Sequence, residues 1–273
     1  MMKGIAVCLS GLVRYWDETY PLFEHWNKMF PNTFVFFLST WKGTDLWYEK
    51  ERFGKLELTE HDYSKYDFIE SYSLHNESDV KVIGNSLPNS WLRSYSMKQV
   101  QTLRKEYEQK NNIIFDGVIQ TRNDIFISKN CLQRSIHFTK SKEFQSDKVI
   151  LTPRGTTIYL EDEVNPTLFF PDDNFSFASS KTMDRVMNLY DWMIEDKLEV
   201  KSCHKAPVEF YFKNNIHNIS TDDLPRLFRE GKLQKQHRPT PQLMRKLLDE
   251  KGVGWIYDLP MNILEEEYWN YEK

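Results

Sequence analysis

The chain has 273 residues with 36 Lys and Arg against 40 Asp and Glu, a formal net charge of −4, and 40% hydrophobic and 28% charged side chains. That balance excludes a chain too polar to offset the entropy of ordering, and it lacks the basic excess of a nucleic-acid-binding domain. No apolar run approaches the ~20 residues that cross a bilayer.

The opening run from Lys3 to Leu9 reads as a first strand that stops at Ser10-Gly11. Its apolar part is shorter than a signal-peptide core, so a cytoplasmic location is expected. Bulky residues at helical spacing (Trp16, Tyr20, Phe23, Trp26, Phe30) predict a helix over 15–30, broken by Pro31-Asn32. Thr33 to Leu38 is a continuous β-rich run of the kind buried on both faces of a sheet, which completes a parallel β-α-β unit. Residues 44–78 show only weak periodicity. Val80 to Ile83 is a further candidate strand, and 90–110 carries Trp91, Tyr95, Val100, Leu103 and Tyr107 among charges, an amphipathic helix. Strand pattern resumes over Ile113 to Ile119 and halts at Gln120-Thr-Arg-Asn-Asp124.

Farther on, Val149–Leu151, Leu168–Phe170 and Phe175–Ala178 read as short strands, and Ser180 to Ile194 as one helix with Met183, Val186, Met187, Tyr190 and Met193 on a face. Pro207 to Asn214 is a helix with Pro207 near its start, where a missing N–H costs least. From Asp222 the chain turns polar and basic, then gives a short helix over 241–250 and an aromatic, acidic tail. The expected organisation is an α/β domain over 1–221 with a mainly parallel sheet, and a helical extension over 222–273 packed on it. Cys8, Cys131 and Cys203 include no Cys-x-x-Cys pair and are expected to be free thiols.

In open α/β sheets ligands gather beyond the carboxyl ends of the strands, so the chemistry is sought in the loops there. Three are polar. Ser10-Gly-Leu-Val-Arg14 sets a hydroxyl, a glycine and a cation at the mouth of the first strand; Gly11 lets a ligand approach the backbone, and Arg14 offers a fork of donors to a diphosphate. The alternative is an N-cap serine and a solvated arginine. Neither a P-loop nor a Gly-x-Gly-x-x-Gly fingerprint is present. In Thr121-Arg-Asn-Asp124, Asp124 stands between apolar runs, where a carboxylate needs a partner or a cation; it suits Mg²⁺ or Mn²⁺, or else pairs with Arg122 to close a turn. Asp172-Asp-Asn174 holds adjacent carboxylates, which can divide acid and base duties or simply build a turn. Glu209 is expected in the first turn of its helix, where the dipole favours an anion. The histidines show no zinc spacing, and no Gly-x-Ser-x-Gly elbow marks a hydrolase.

Taken in order, Ile5–Arg14, Phe36–Trp41, Tyr95-Ser-Met-Lys-Gln99, Asp116–Asp124, Asp172-Asp-Asn-Phe175 and Pro207-Val-Glu209 resemble a glycosyltransferase of the A-type nucleotide-sugar fold (GT-A). More narrowly, they resemble sugar transferases of bacterial surface-polysaccharide loci and of large DNA viruses and phages. The resemblance covers about residues 3–220. It implies that Ser10, Gly11 and Arg14 hold the nucleotide. It further implies that Arg122, Asn123 and Asp124 stand for a degenerate Asp-x-Asp element carrying Mn²⁺ or Mg²⁺ and the sugar diphosphate, with Arg in place of the first Asp. Glu209, or alternatively Asp173, is implied as the base of an inverting transfer; if neither serves, a retaining mechanism is open. The implied partners are a UDP-, GDP- or dTDP-sugar donor and a glycan or other hydroxyl acceptor, with no nucleic acid. Two other readings compete: a catalytically silent relative that binds carbohydrate or nucleotide sugar, and a nucleotidyltransferase, whose glycine-rich, Lys-containing first loop is missing here.

Overall fold

A computed structural model describes residues 4–13, 16–42, 62–86, 88–123, 129–140, 144, 147, 149–152, 156–159, 167–170, 175–198, 205–214 and 216–220. Strands β1 (Ile5–Ser10), β2 (Phe34–Trp41), β3 (Ile69–His75), β4 (Gly117–Arg122), β5 (Val149–Thr152), β8 (Phe175–Ala178) and β9 (His217–Ser220) form a seven-stranded sheet in the order β3-β2-β1-β4-β8-β5-β9. β8 runs antiparallel to both neighbours, β4 and β5, and the other strands all point one way. The class is α/β with a mixed, mainly parallel sheet. β6 (Thr156–Tyr159) and β7 (Thr167–Phe170) pair separately as an antiparallel ribbon.

β1 is buried along its whole length, and its residues alternate between two cores. Ile5, Val7 and Leu9 face one layer with Trp16, Phe23 and Trp26 of helix α1 (Trp16–Met29); Ala6 and Cys8 face the other with Trp91 and Val100 of helix α2 (Pro88–Asn111). A strand covered on both faces has no polar side to show, hence the continuous apolar run. Helix α3 (Lys129–Phe138) adds Leu132 to the first layer, and α4 (Ser180–Val186), α5 (Leu189–Glu195) and α6 (Lys205–Lys213) pack Met183, Met193 and Phe210 into the second.

Several elements differ from the sequence expectation. β3 falls in a stretch left unplaced; as the sheet's edge strand its burial alternates, so no apolar run marks it. Val80–Ile83 is not a strand: the Lys81 N–H donates to the Tyr190 hydroxyl at 2.9 Å, and Val82 is exposed. β4 begins only at Gly117, because the preceding segment is tied to the end of α2, where the Phe115 N–H donates to Glu108 Oε1 at 2.9 Å; Ile114 is 55% exposed. The helix expected over 180–194 is two helices, α4 and α5, parted at Met187 and Asn188. The Asn188 N–H reaches back only to the Arg185 carbonyl, at 3.1 Å, which tightens the turn, while buried residues continue on both sides. Helices α3 and strands β6 and β9 were not anticipated. Residues 222–273, with the helix expected over 241–250, lie outside the described residues, as do Ile125–Ile127.

Candidate functional site

From β1 the chain moves outward through α1 to β2 and β3, then returns through α2 to β4 on the opposite side of β1. The connections leaving β1 and arriving at β4 therefore lie on opposite faces. The carboxyl ends of β1 and β4 form the switch point at which open α/β sheets hold ligands. Cα register sets Ser73, Ser39, Ser10 and Arg122 in a row across this rim.

Ser10 is 4% exposed, and its hydroxyl accepts from Gln120 Nε2 at 2.7 Å. Gly11 follows with φ +105°, a left-handed conformation that L side chains rarely adopt, although a Cβ would meet nothing within 4 Å. Its N–H is shared between the Ser39 carbonyl at 3.2 Å and the Ser96 hydroxyl of α2 at 3.0 Å. Its carbonyl accepts from Asn123 Nδ2 at 3.1 Å, a bond that ties the β1 and β4 loops together. Asn123 is wholly buried, and its Oδ1 has no hydrogen-bond partner among the described residues. An unpartnered buried acceptor costs about 1–3 kcal/mol, so a ligand donor or an oxygen-seeking cation would find it already desolvated. Arg122, half-buried, stands at the end of β4 on this rim.

Of the expected site residues, Ser10, Gly11, Arg122 and Asn123 thus share one rim. Arg14, Asp124 and Asp173 lie outside the described residues; Asp124 directly follows Asn123, and Asp173 precedes Phe175, the residue of β8 that pairs with Thr121 at the end of β4. Glu209 is the fifth residue of α6, which starts at Lys205, so the first turn holds no acidic residue and the expected dipole stabilisation is absent. Pro207 is correspondingly the third residue rather than the first. The side chain of Glu209 lies outside the described set. No cluster of three or more His, Cys, Asp or Glu suited to a metal occurs among the described residues. Asn123 Oδ1 has the oxygen chemistry that Mn²⁺ or Mg²⁺ takes, but a hard cation also needs a carboxylate, and Asp124 is the sequence neighbour that offers one.

Sequence reasoning passed over the groups that hold the rim. Ser39 and Ser96 lie in segments that carry the family resemblance, yet no role was assigned to them. A small hydroxyl on the buried side of a long helix asks for a partner, but here the partners lie 57 and 85 residues away and no local spacing names them. Beneath the rim, Gln120 Oε1 accepts from Gln101 Nε2 at 2.8 Å and Gln101 Oε1 from Arg104 Nε at 2.7 Å. Arg104 then pairs with Glu108 at 2.7 Å and bonds Asp184 and Ser180. Cys8, one strand position from Leu9, is a free thiol pushed up to about 12 by burial, which leaves it inert as a nucleophile.

No protein-family model matches the sequence, and no curated protein matches it significantly. Among the described residues no helix is long and apolar enough to cross a membrane.

Proposed function

We propose that the chain is a glycosyltransferase of the A-type nucleotide-sugar fold, moving a sugar from a UDP-, GDP- or dTDP-sugar to a hydroxyl of a glycan acceptor. The observation that carries this reading is the bond from Asn123 Nδ2 to the Gly11 carbonyl, 3.1 Å, which joins the two loops at the switch point. The two loops picked out for a nucleotide and for a sugar diphosphate are thereby one rim.

The chemistry follows from charge. The acceptor oxygen attacks the anomeric carbon, the bond from that carbon to the diphosphate breaks, and the acceptor's proton passes to a carboxylate while the nucleoside diphosphate departs. Positive charge placed beforehand at the phosphates lowers the barrier, because it needs no reorganisation as the leaving group develops its charge. Arg122 and Arg14 are the residues for this role. Asp124 would hold Mn²⁺ or Mg²⁺, with Asn123 Oδ1 as a second oxygen, and the ion would add charge neutralisation at the diphosphate. Glu209 is the proposed base, with Asp173 as the alternative carboxylate or a positioning group for the acceptor.

The test incubates the protein with UDP-, GDP- and dTDP-sugars and Mn²⁺ and follows nucleotide release, alongside thermal shifts with the nucleoside diphosphates. One donor is expected to be hydrolysed slowly and its diphosphate to raise the melting temperature. Asp124→Ala is expected to abolish the metal-linked part of that stabilisation, and Glu209→Gln to remove transfer while sparing donor binding. Stabilisation without release from any donor identifies a binding module instead, and release of pyrophosphate from a nucleoside triphosphate identifies a nucleotidyltransferase.

A further inference from the structure

The first rim loop hangs on a chain of hydroxyls that ends at an imidazole. His75, the last residue of β3, is 8% exposed, and its Nε2 lies 2.9 Å from Ser73 Oγ and 3.1 Å from Ser39 Oγ. Ser39 Oγ lies 3.2 Å from Ser96 Oγ, and both serines are fully buried. Ser96 donates to the Ser39 carbonyl at 3.0 Å and accepts the Gly11 N–H.

A hydroxyl has one hydrogen to give. That of Ser96 is committed to the Ser39 carbonyl. That of Ser39 has two acceptors in reach, His75 Nε2 and Ser96 Oγ. With the neutral ring's hydrogen assigned to Nδ1, the bare Nε2 draws hydrogens from the hydroxyls beside it, whereas a protonated Nε2 must donate, which leaves Ser96 as the acceptor for Ser39. Ser96 Oγ then receives two hydrogens and becomes the weaker acceptor for Gly11, whose N–H already shares itself with the Ser39 carbonyl.

We infer that His75 is a positioning residue for the Gly11 loop, acting through Ser39 and Ser96, so that a proton gained at Nε2 changes how the Gly11 amide is held. The surroundings poise the ring for this. Trp41 and Tyr95 enclose it at centroid distances of 6.0 and 5.3 Å. Burial lowers its pKa, assisted by the charge of Lys42 and opposed by that of Asp79. The neutral form of the ring is thereby favoured, and a proton is taken up only below the ordinary histidine range. The consequence for ligand binding, a pH-dependent grip by the first loop, rests on the proposed function; the relay itself does not.

Ser10-Gly11 is the only Ser-Gly dipeptide in the sequence. Carbonyl-¹³C serine combined with ¹⁵N glycine in the full chain therefore selects the Gly11 amide alone in a carbonyl-filtered NMR spectrum. Titration from about pH 7.5 downward until the His75 ring itself has charged reads both the Gly11 amide and the ring. The Gly11 amide proton is expected to move upfield on acidification with the same midpoint as His75, to stay fixed in His75→Gln, and to stay fixed in Ser39→Ala while His75 still titrates. The amides of Gly4, Gly84 and Gly117 report whether each variant is folded. A Gly11 signal that stays still while the wild-type His75 titrates overturns the inference, as does one that moves equally in His75→Gln or Ser39→Ala. Failure of every nucleotide to bind would sink the proposed function and leave the relay standing.

Discussion

Arg104 and Asn123 are both wholly buried, and both belong to polar chains that meet β4. Arg104 is matched on every side, by Gln101, Glu108, Ser180 and Asp184. Asn123 gives its amide hydrogen to Gly11 and leaves its carbonyl oxygen without a donor. The Arg104 network closes on itself, whereas at the rim the Asn123 oxygen finds no donor among the described residues. Closed networks hold elements in register, whereas an open one carries a desolvation penalty that a further donor would relieve.

The contrast is broken most directly at Arg104. Arg104→Met should destabilise by about 3–5 kcal/mol, the usual cost of stranding a buried charge, read from the urea midpoint. Substituting Glu108 and Asp184 with Leu and Asn as well should recover part of that loss. Gly117→Ala tests the strand both networks share. A Cβ there falls 2.6 Å from ring carbons of Phe177, which is itself stacked on Phe144 at 5.0 Å and has little room to retreat, so about 1–3 kcal/mol should be lost. Asn123→Ala removes one hydrogen bond but also the stranded oxygen. It should therefore cost no more than about 1 kcal/mol by the same measurement while abolishing nucleotide-dependent stabilisation. A loss as large as that of Arg104→Met would erase the distinction. The smallest effect is the pH dependence of His75. The fold favours the neutral ring, so the unfolded chain takes up the proton first as pH falls. The ring's contribution is complete above its ordinary pKa of 6.5 and declines below it as pH falls through the lowered folded value. Wild type should lose more stability than His75→Gln over that interval.

The central β-α-β unit was legible because β1 and β2 are apolar on both faces and α1 repeats bulky residues every three or four positions. The polar strands escaped: β3 at the edge alternates, and β9, His-Asn-Ile-Ser, carries a single strong β-former. The split between α4 and α5 was invisible because Val186 and Leu189 stay buried across it, so periodicity runs on while the backbone does not. At the rim, Ser10, Gly11 and Asn123 could be picked out because they follow strands, and their shared place required only strand order. Ser39, Ser96 and His75 could not, since a hydroxyl or imidazole tied by long-range bonds has no local spacing. The expected anion position of Glu209 failed on a boundary, as α6 starts two residues ahead of Pro207.

Cys8 gives the fold a clock. Its side chain is buried in the layer between the sheet and α2, so an alkylating reagent reaches it only when that layer opens. Peptide mapping of its modification over time would therefore time rare breathing of the whole central layer, at a position where no engineered probe disturbs the packing.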